Sequence, residues 1–222
     1  MSKITLDVKD LSVTLAGKKR LDTISCQVQS EKLTMVMGHN GAGKSLFLKA
    51  LHGLIPLSSG KIVGPERTDA KLVFQKPILL RRTTEEVFKF IASDCTNTEA
   101  RDWLSLAGLS DHLQHPARRL SGGQAQKLML VAMLATQPKL LFLDEPTAHL
   151  DYESTAFVEN TLKTARADGL TIIMASHNRT QIKRLADHVL FLDDGKLVDD
   201  QPAADFFSAP RHEAAQRWLD FA

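Results

Sequence analysis

The chain has little of what would mark it for a membrane, a nucleic acid or an oxidising compartment. Of its 222 residues only two are cysteine, Cys26 and Cys95, and their spacing makes no metal-binding pair. A disulfide framework is excluded, and two idle thiols in a reducing compartment are expected. No window approaches the roughly 18 uninterrupted apolar residues read as a spanning helix, so any role at a membrane has to come through a partner chain. The opening stretch MSKITLDVKDLSV alternates polar and apolar residues and lacks the apolar centre of a secretory signal. Lysine and arginine number 28 against 26 acidic residues, a formal net charge of +2 that is too mild to argue for nucleic acid or an anionic surface. Aromatic residues are 6% of the chain, with one tyrosine, and no Phe, Tyr or Trp precedes Phe47. There is no internal repeat and no low-complexity linker.

What is present is an ordinary globular composition, 43% hydrophobic and 24% charged, enough for one large domain or a domain with an inserted lobe. ITLDV, LSVTL, TISCQV and LTMVMG read as short strands, and KSLFLKALHGLI as a helix stopped by Pro56 and the turn residues SSG. KLVF is a further strand. From Glu85 to Leu113 the apolar period changes to 3.6, which predicts a small helical lobe. Strand and helix then alternate: LLFLD, a helix over Tyr152 to Ala167, LTIIMASH, a helix around Thr180 to Ala186, and HVLFLDDGKLVDD with an Asp-Gly hairpin turn. Alternation of this kind predicts an α/β fold with a mostly parallel sheet covered on both faces. One domain over 1–222 is expected, its core and β subdomain from about 1–75 and 136–222 and its helical lobe from 76–135.

The sharpest motif is GHNGAGKS. Gly38, His39, Asn40, Gly41, Ala42 and Gly43 form a glycine loop between an apolar strand and a helix that opens with Lys44, Ser45 and Leu46. This is G-x-x-x-x-G-K-[ST] in the context it requires. Backbone N–H groups converge on phosphate oxygens, Lys44 reaches the β- and γ-phosphates, and the Ser45 hydroxyl ligates Mg²⁺. A nucleoside triphosphate site is therefore expected. In KLLFLDEPTAHLD, Asp144 at a strand's carboxyl end can hold Mg²⁺, and Glu145 can polarise the attacking water, its direction set by strand alternation. Gln75 and His177 also follow apolar strands, where ligands of open α/β sheets bind. A side-chain amide there can touch Mg²⁺ and water, and an imidazole can touch the γ-phosphate.

A second phosphate grip stands far along the chain. In LSGGQ, Ser121 and Gln124 make a capping box, but that does not require Gly122 and Gly123. Paired glycines leave bare N–H donors at a helix N-terminus, a surface suited to an anion. It could close the open side of the first grip from within the chain or from another copy of it.

Gly38 to Ser45, Gln75, LSGGQ, LLFLDEP, AHLD and His177, in this order, make the chain resemble the ATP-binding cassette (ABC) ATPases over nearly its whole length. The resemblance implies a head-to-tail dimer with two ATP-Mg²⁺ between subunits, each held by one chain's glycine loop and the other's Ser121, Gly122, Gly123 and Gln124. It implies that Asp151 acts across the interface, that Glu145 is the base, that His177 is a switch, and that Gln75 links lobe movement to nucleotide. The aromatic residue that usually stacks on adenine is replaced by Leu15, which predicts weaker or less base-selective binding.

Most members power transporters, so separate transmembrane permease subunits and a substrate-binding protein are expected partners, with the chain on the cytoplasmic face of the membrane. Residues 76–88, with Ile78, Leu79, Leu80, Arg81 and Arg82, would line the permease groove. Two cassettes in one chain or a long coiled-coil insertion would suit translation or repair, and neither is seen; a small-molecule kinase would leave SGGQ and AHLD unexplained. The tail from Gln201 to Ala222 suffices for a short helical segment, with no added regulatory β-domain expected. GKSLFLKALHGLIPLSSG, with Leu46 where Thr is common, together with VFQKPILLRRT, looks most like ATPases of tungstate-type oxyanion importers. Importers of other small solutes and lipid or lipoprotein systems are the alternatives.

Overall fold

The computed structural model describes residues 4–221. Strands β1 (Ile4–Leu15), β2 (Lys18–Gln29) and β4 (Ser59–Val63) form an antiparallel sheet in the order β2-β1-β4. Strands β3 (Leu33–Met37), β5 (Ala70–Val73), β6 (Leu140–Asp144), β7 (Thr171–Ala175), β8 (His188–Asp193) and β9 (Lys196–Pro202) form the main sheet, ordered β5-β6-β7-β3-β8-β9. Its pairings are parallel except for the β8–β9 hairpin.

Every residue of β3, β6 and β7 is buried, as a parallel sheet covered on both faces requires. The alternation sorts the side chains to two layers. Leu140 and Phe142 join a core with the antiparallel sheet and with Phe47 and Leu48 of helix α1 (Lys44–Leu51). Leu141 and Leu143 turn to the other face, against residues of α4 (Gly122–Ala135), α5 (Tyr152–Ala167), α6 (Arg179–Leu185), α7 (Ala203–Ser208) and α8 (Glu213–Phe221). A third cluster joins α2 (Thr84–Ile91), α3 (Asn97–Leu106) and α4 through Phe88, Leu104 and Leu128. Burying each such Leu or Phe contributes roughly 1.5–3 kcal/mol.

Three local expectations change. ITLDV and LSVTL are one strand, because a bulge at Lys9–Asp10, with Asp10 at φ 50°, returns Val8 and Leu11 to the same buried face. The first helix stops at Leu51, well before Pro56. Gly53, at φ 78°, donates its N–H to Ala50 O, and Leu54 donates to Lys49 O, so a Schellman turn ends the helix. The residues Ser59 and Gly60, read as a turn, begin β4 and pair with β1.

Candidate active site

The parallel pairing puts the carboxyl ends of four adjacent strands on one edge. Gln75 follows β5, Asp144 ends β6, His177 follows β7, and the glycine loop follows β3. The loop is pressed against the end of β8: a β-carbon on Gly38, at φ 140°, would fall 2.2 Å from Leu192 O. Any other residue there would push the loop off the sheet.

Lys44 is buried at the start of α1, and its Nζ donates to Gly38 O at 2.9 Å and His39 O at 3.1 Å. Burial lowers its pKa, while Glu145 and Asp144 oppose that shift. His39 contacts Asp193 at 3.0 Å and Asn40 O at 2.8 Å, tying the loop to β8. Ser45 Oγ donates to Asp144 Oδ1 at 2.8 Å. Burial raises the Asp144 pKa, and the Ser45 hydroxyl pulls it back down. A hydroxyl and a carboxylate side by side beside a phosphate loop are the hard oxygen ligands that Mg²⁺ takes together with phosphate oxygens and water. Among the described residues no cluster of three or more His, Cys, Asp or Glu is placed to hold a metal ion.

Glu145 lies beyond β6 in the left-handed region at φ 47°, its N–H donating to Ala175 O of β7. A left-handed residue, rather than strand alternation, therefore aims this carboxylate away from Asp144. Such a backbone costs roughly 1–2 kcal/mol for a residue with a Cβ. The carboxylate accepts from Gln75 Nε2 at 3.3 Å and meets His177 Nδ1 at 3.2 Å.

Lys44, Ser45, Leu46, Gln75, Glu145 and His177 share a cavity of about 800 Å³ with Asn40, Gly41, Gly43 and Leu15. Arg20, Lys49, Ile55 and His149 also line it, and sequence reasoning missed them. Arg20 reaches the site only because the β1–β2 hairpin folds across the loop, which no local motif announces. A cavity of similar size, about 830 Å³, lies between Trp103, Leu134 and Phe157, but it holds none of the motif residues.

Ser121, Gly122, Gly123, Gln124 and Asp151 do not line the 800 Å³ cavity. The expected capping box is formed: Ser121 N donates to Gln124 Oε1 at 2.9 Å and Gln124 N donates to Ser121 Oγ at 3.2 Å. Asp151 caps α5, accepting from Ser154 N at 2.7 Å, and these hydrogen bonds from Ser154 lower its pKa. Of residues 76–88, Ile78 stands 73% exposed, whereas Leu79 and Leu80 are half-buried and pack partly against the helical cluster. Arg82 lies over the exposed Phe90 ring at 5.0 Å.

A phosphate loop on β3 with carboxylates on β6 of a mostly parallel sheet defines a P-loop nucleotide hydrolase. Residues 21–148 match the family model described as ABC transporter. The chain is 30% identical to the phosphate import ATP-binding protein PstB of Pyrobaculum aerophilum, over 99% of this chain and 98% of that protein. It is 30% identical to the arginine transport ATP-binding protein ArtM of Bacillus subtilis, over 97% and 98%. A solved structure titled as the ATP binding subunit of an ABC transporter superposes with a TM-score of 0.84 at 26% identity, covering 98% of this chain and 95% of that one. The chain belongs to the ABC transporter family and is an ATPase that binds ATP with Mg²⁺.

Proposed function

We propose that the chain is the ATP-hydrolysing subunit of a small-solute importer and works as a head-to-tail pair. Lys44 and the loop amides hold the triphosphate, and Ser45, Asp144 and Gln75 hold the metal. Bound Mg²⁺ supplies charge neutralisation at the β- and γ-phosphate oxygens. Glu145, oriented between Gln75 and His177, takes a proton from the water that attacks the γ-phosphorus while the bond to the β-phosphate oxygen breaks. With Nδ1 on Glu145, His177 keeps Nε2 for a γ-phosphate oxygen. The second chain supplies Ser121 to Gln124 and Asp151.

Gly122 carries the paired reading. It is exposed at the start of α4, and a β-carbon there would meet no atom within 4 Å. Nothing within one chain demands a glycine, so an approaching partner supplies the reason.

Among the described residues no helix is long and apolar enough to cross a membrane. The pore is placed in separate permease chains, with this subunit peripheral to them on the cytoplasmic side. Ile78, Phe90 and Arg82 are the exposed contacts we assign to the permease. The tungstate-type resemblance rests on two local strings, GKSLFLKALHGLIPLSSG with its Leu46 and VFQKPILLRRT. Relatives at the same 30% identity are named for phosphate in one case and arginine in the other, so identity at this level does not separate an anion from a cation. Selection belongs to the permease and its binding protein, and the solute class proposed is simply a small polar one.

Light scattering of wild type and Glu145→Gln, with and without ATP-Mg²⁺, tests the reading. The variant should lose roughly 10²–10⁴-fold in hydrolysis and become a dimer only with ATP-Mg²⁺. A variant that still hydrolyses removes Glu145 from the base role, and one that binds ATP yet stays monomeric rejects the pairing of isolated subunits.

A further inference from the structure

We propose that His112 is a positioning residue for Gln124, holding the side-chain amide of the LSGGQ helix through an imidazole acceptor. The inference rests on the reading that this helix N-terminus grips the second chain's nucleotide. His112 ends a single turn, Ser110–His112, that packs on α3, and it is half-buried. Its Nε2 lies 2.9 Å from Gln124 Nε2, and its Nδ1 lies 3.2 Å from His115 Nδ1.

The protons in this chain of contacts are fixed by one backbone donor. Ser121 N–H points at the Gln124 side chain, so the atom it meets is the amide oxygen. The other amide atom is therefore the NH₂ group, and it donates to His112. His112 Nε2 must be bare, its proton sits on Nδ1, and it donates to His115 Nδ1. His115 then carries its own proton on Nε2. Gln124 is held at both ends of its amide, by Ser121 in the capping box and by His112 from a separate segment.

A protonated His112 would turn an N–H toward the amide NH₂. Either the amide flips, which puts NH₂ against Ser121 N–H and breaks the capping box, or the imidazole swings away. The first breaks the bond to Ser121 and the second the bond to His112, so in either case Gln124 is held at one end of its amide instead of two. Glu85 of α2 pairs with Lys89 and Arg101, each at 3.4 Å. Glu85 accepts from Gln114 at 2.9 Å, so its carboxylate is already engaged.

The test uses the full chain, ¹⁵N-labelled, with the His112 signals identified by their absence in His112→Gln. The expected spectrum shows His112 protonated at Nδ1 and bare at Nε2 near pH 8. His112→Ala should lower kcat about fivefold, the equivalent of one lost cap, with KM for ATP unchanged because the Lys44 grip is untouched. His112→Gln offers an amide oxygen that accepts without titrating, so it should restore the rate. A proton on His112 Nε2, a wild-type kcat in His112→Ala, or a kcat in His112→Gln as low as that of His112→Ala each overturns the proposal. The tautomer is read on the resting protein, so its failure is distinct from failure of the paired-chain reading, which Glu145→Gln decides.

Discussion

Gly123 of α4 rests against Ser154 of α5 so closely that a β-carbon on it would fall 2.5 Å from Ser154 Oγ and 3.1 Å from Ser154 Cβ. Ser154 cannot simply turn away, because its hydroxyl donates to Asp151 Oδ2 at 3.2 Å and its N–H is the capping bond of α5. The two glycines of LSGGQ thus have different reasons. Gly123→Ala should destabilise the monomer by about 1–3 kcal/mol through overpacking, seen as a lower urea midpoint. Gly122→Ala should leave folding unchanged or improve it by up to about 1 kcal/mol, because alanine is the better helix former. It should nevertheless lose ATP-dependent dimerisation and hydrolysis. If Gly122→Ala hydrolyses ATP at the wild-type rate, the partner-facing role of this surface is lost.

Gln181 is fully buried beneath the site and ties together the segments that carry Glu145, Asp151 and His177. Its side chain bonds Thr147 at 2.9 Å, Ser176 at 2.9 Å and Glu159 at 3.1 Å, and Arg184 also holds Glu159, at 2.7 Å. Gln181→Leu leaves the Ser176 and Thr147 hydroxyls without this partner while keeping the volume. Unsatisfied buried groups cost about 1–3 kcal/mol each, so chemical denaturation should show a loss of that order. ATP hydrolysis should fall further than the residual folded fraction explains, because the residue before His177 is no longer held. Equal losses in stability and rate would reduce Gln181 to a core residue.

Much of this was legible in the sequence where one residue pattern has one cause. The apolar runs before Gly38, Gln75, Glu145 and His177 predicted parallel strands, and their shared carboxyl edge followed from that topology. What escaped had its cause outside the local string. Ser59–Val63 is a mostly exposed edge strand, so β4 has no buried alternation to read. Arg20 enters the cavity through a hairpin, and Glu145 takes its direction from a left-handed φ that a strand pattern does not encode. Thr83 with Glu86 and Thr96 with Glu99 form capping boxes that open α2 and α3; the T-x-x-E spacing for both was present but not read. Nothing in the string PILL separates the exposed Ile78 from the half-buried Leu79 and Leu80, which differ only through packing against the helical cluster.

Cys26 gives a pH-dependent reading of the antiparallel sheet. Burial, helped by the Asp200 and Asp7 carboxylates, pushes its thiol from 9.0 up to about 12. A raised acid stays protonated in the fold while the unfolded chain ionises first. Its contribution to stability is therefore complete below about pH 9 and disappears as pH climbs toward about 12. In a Cys95→Ser background, iodoacetamide at pH 8 should label the native protein at least about a hundredfold more slowly than the urea-unfolded chain, because the thiolate is the nucleophile. Comparable rates would mean that the sheet opens readily at Cys26.

Leu15 stands 40% exposed at the end of β1, on the wall of the nucleotide cavity with Ile55 and Arg20. A leucine offers adenine an apolar contact but no π-face, and stacking of a base on an aromatic ring contributes about 1–3 kcal/mol. Wild type should therefore bind ATP and GTP with similar, weak affinities, since Lys44, Ser45 and the loop amides hold only the phosphates that both share. Leu15→Tyr should tighten ATP by about fivefold or more and leave folding intact, because the side chain already reaches solvent. The measurement is titration calorimetry of Glu145→Gln with each nucleotide, with and without Leu15→Tyr, so that hydrolysis does not blur the affinities. Strong preference for ATP in the wild type, joined with no gain in Leu15→Tyr, would show that Arg20 or Ile55 already reads the base and that the missing aromatic residue has no consequence here.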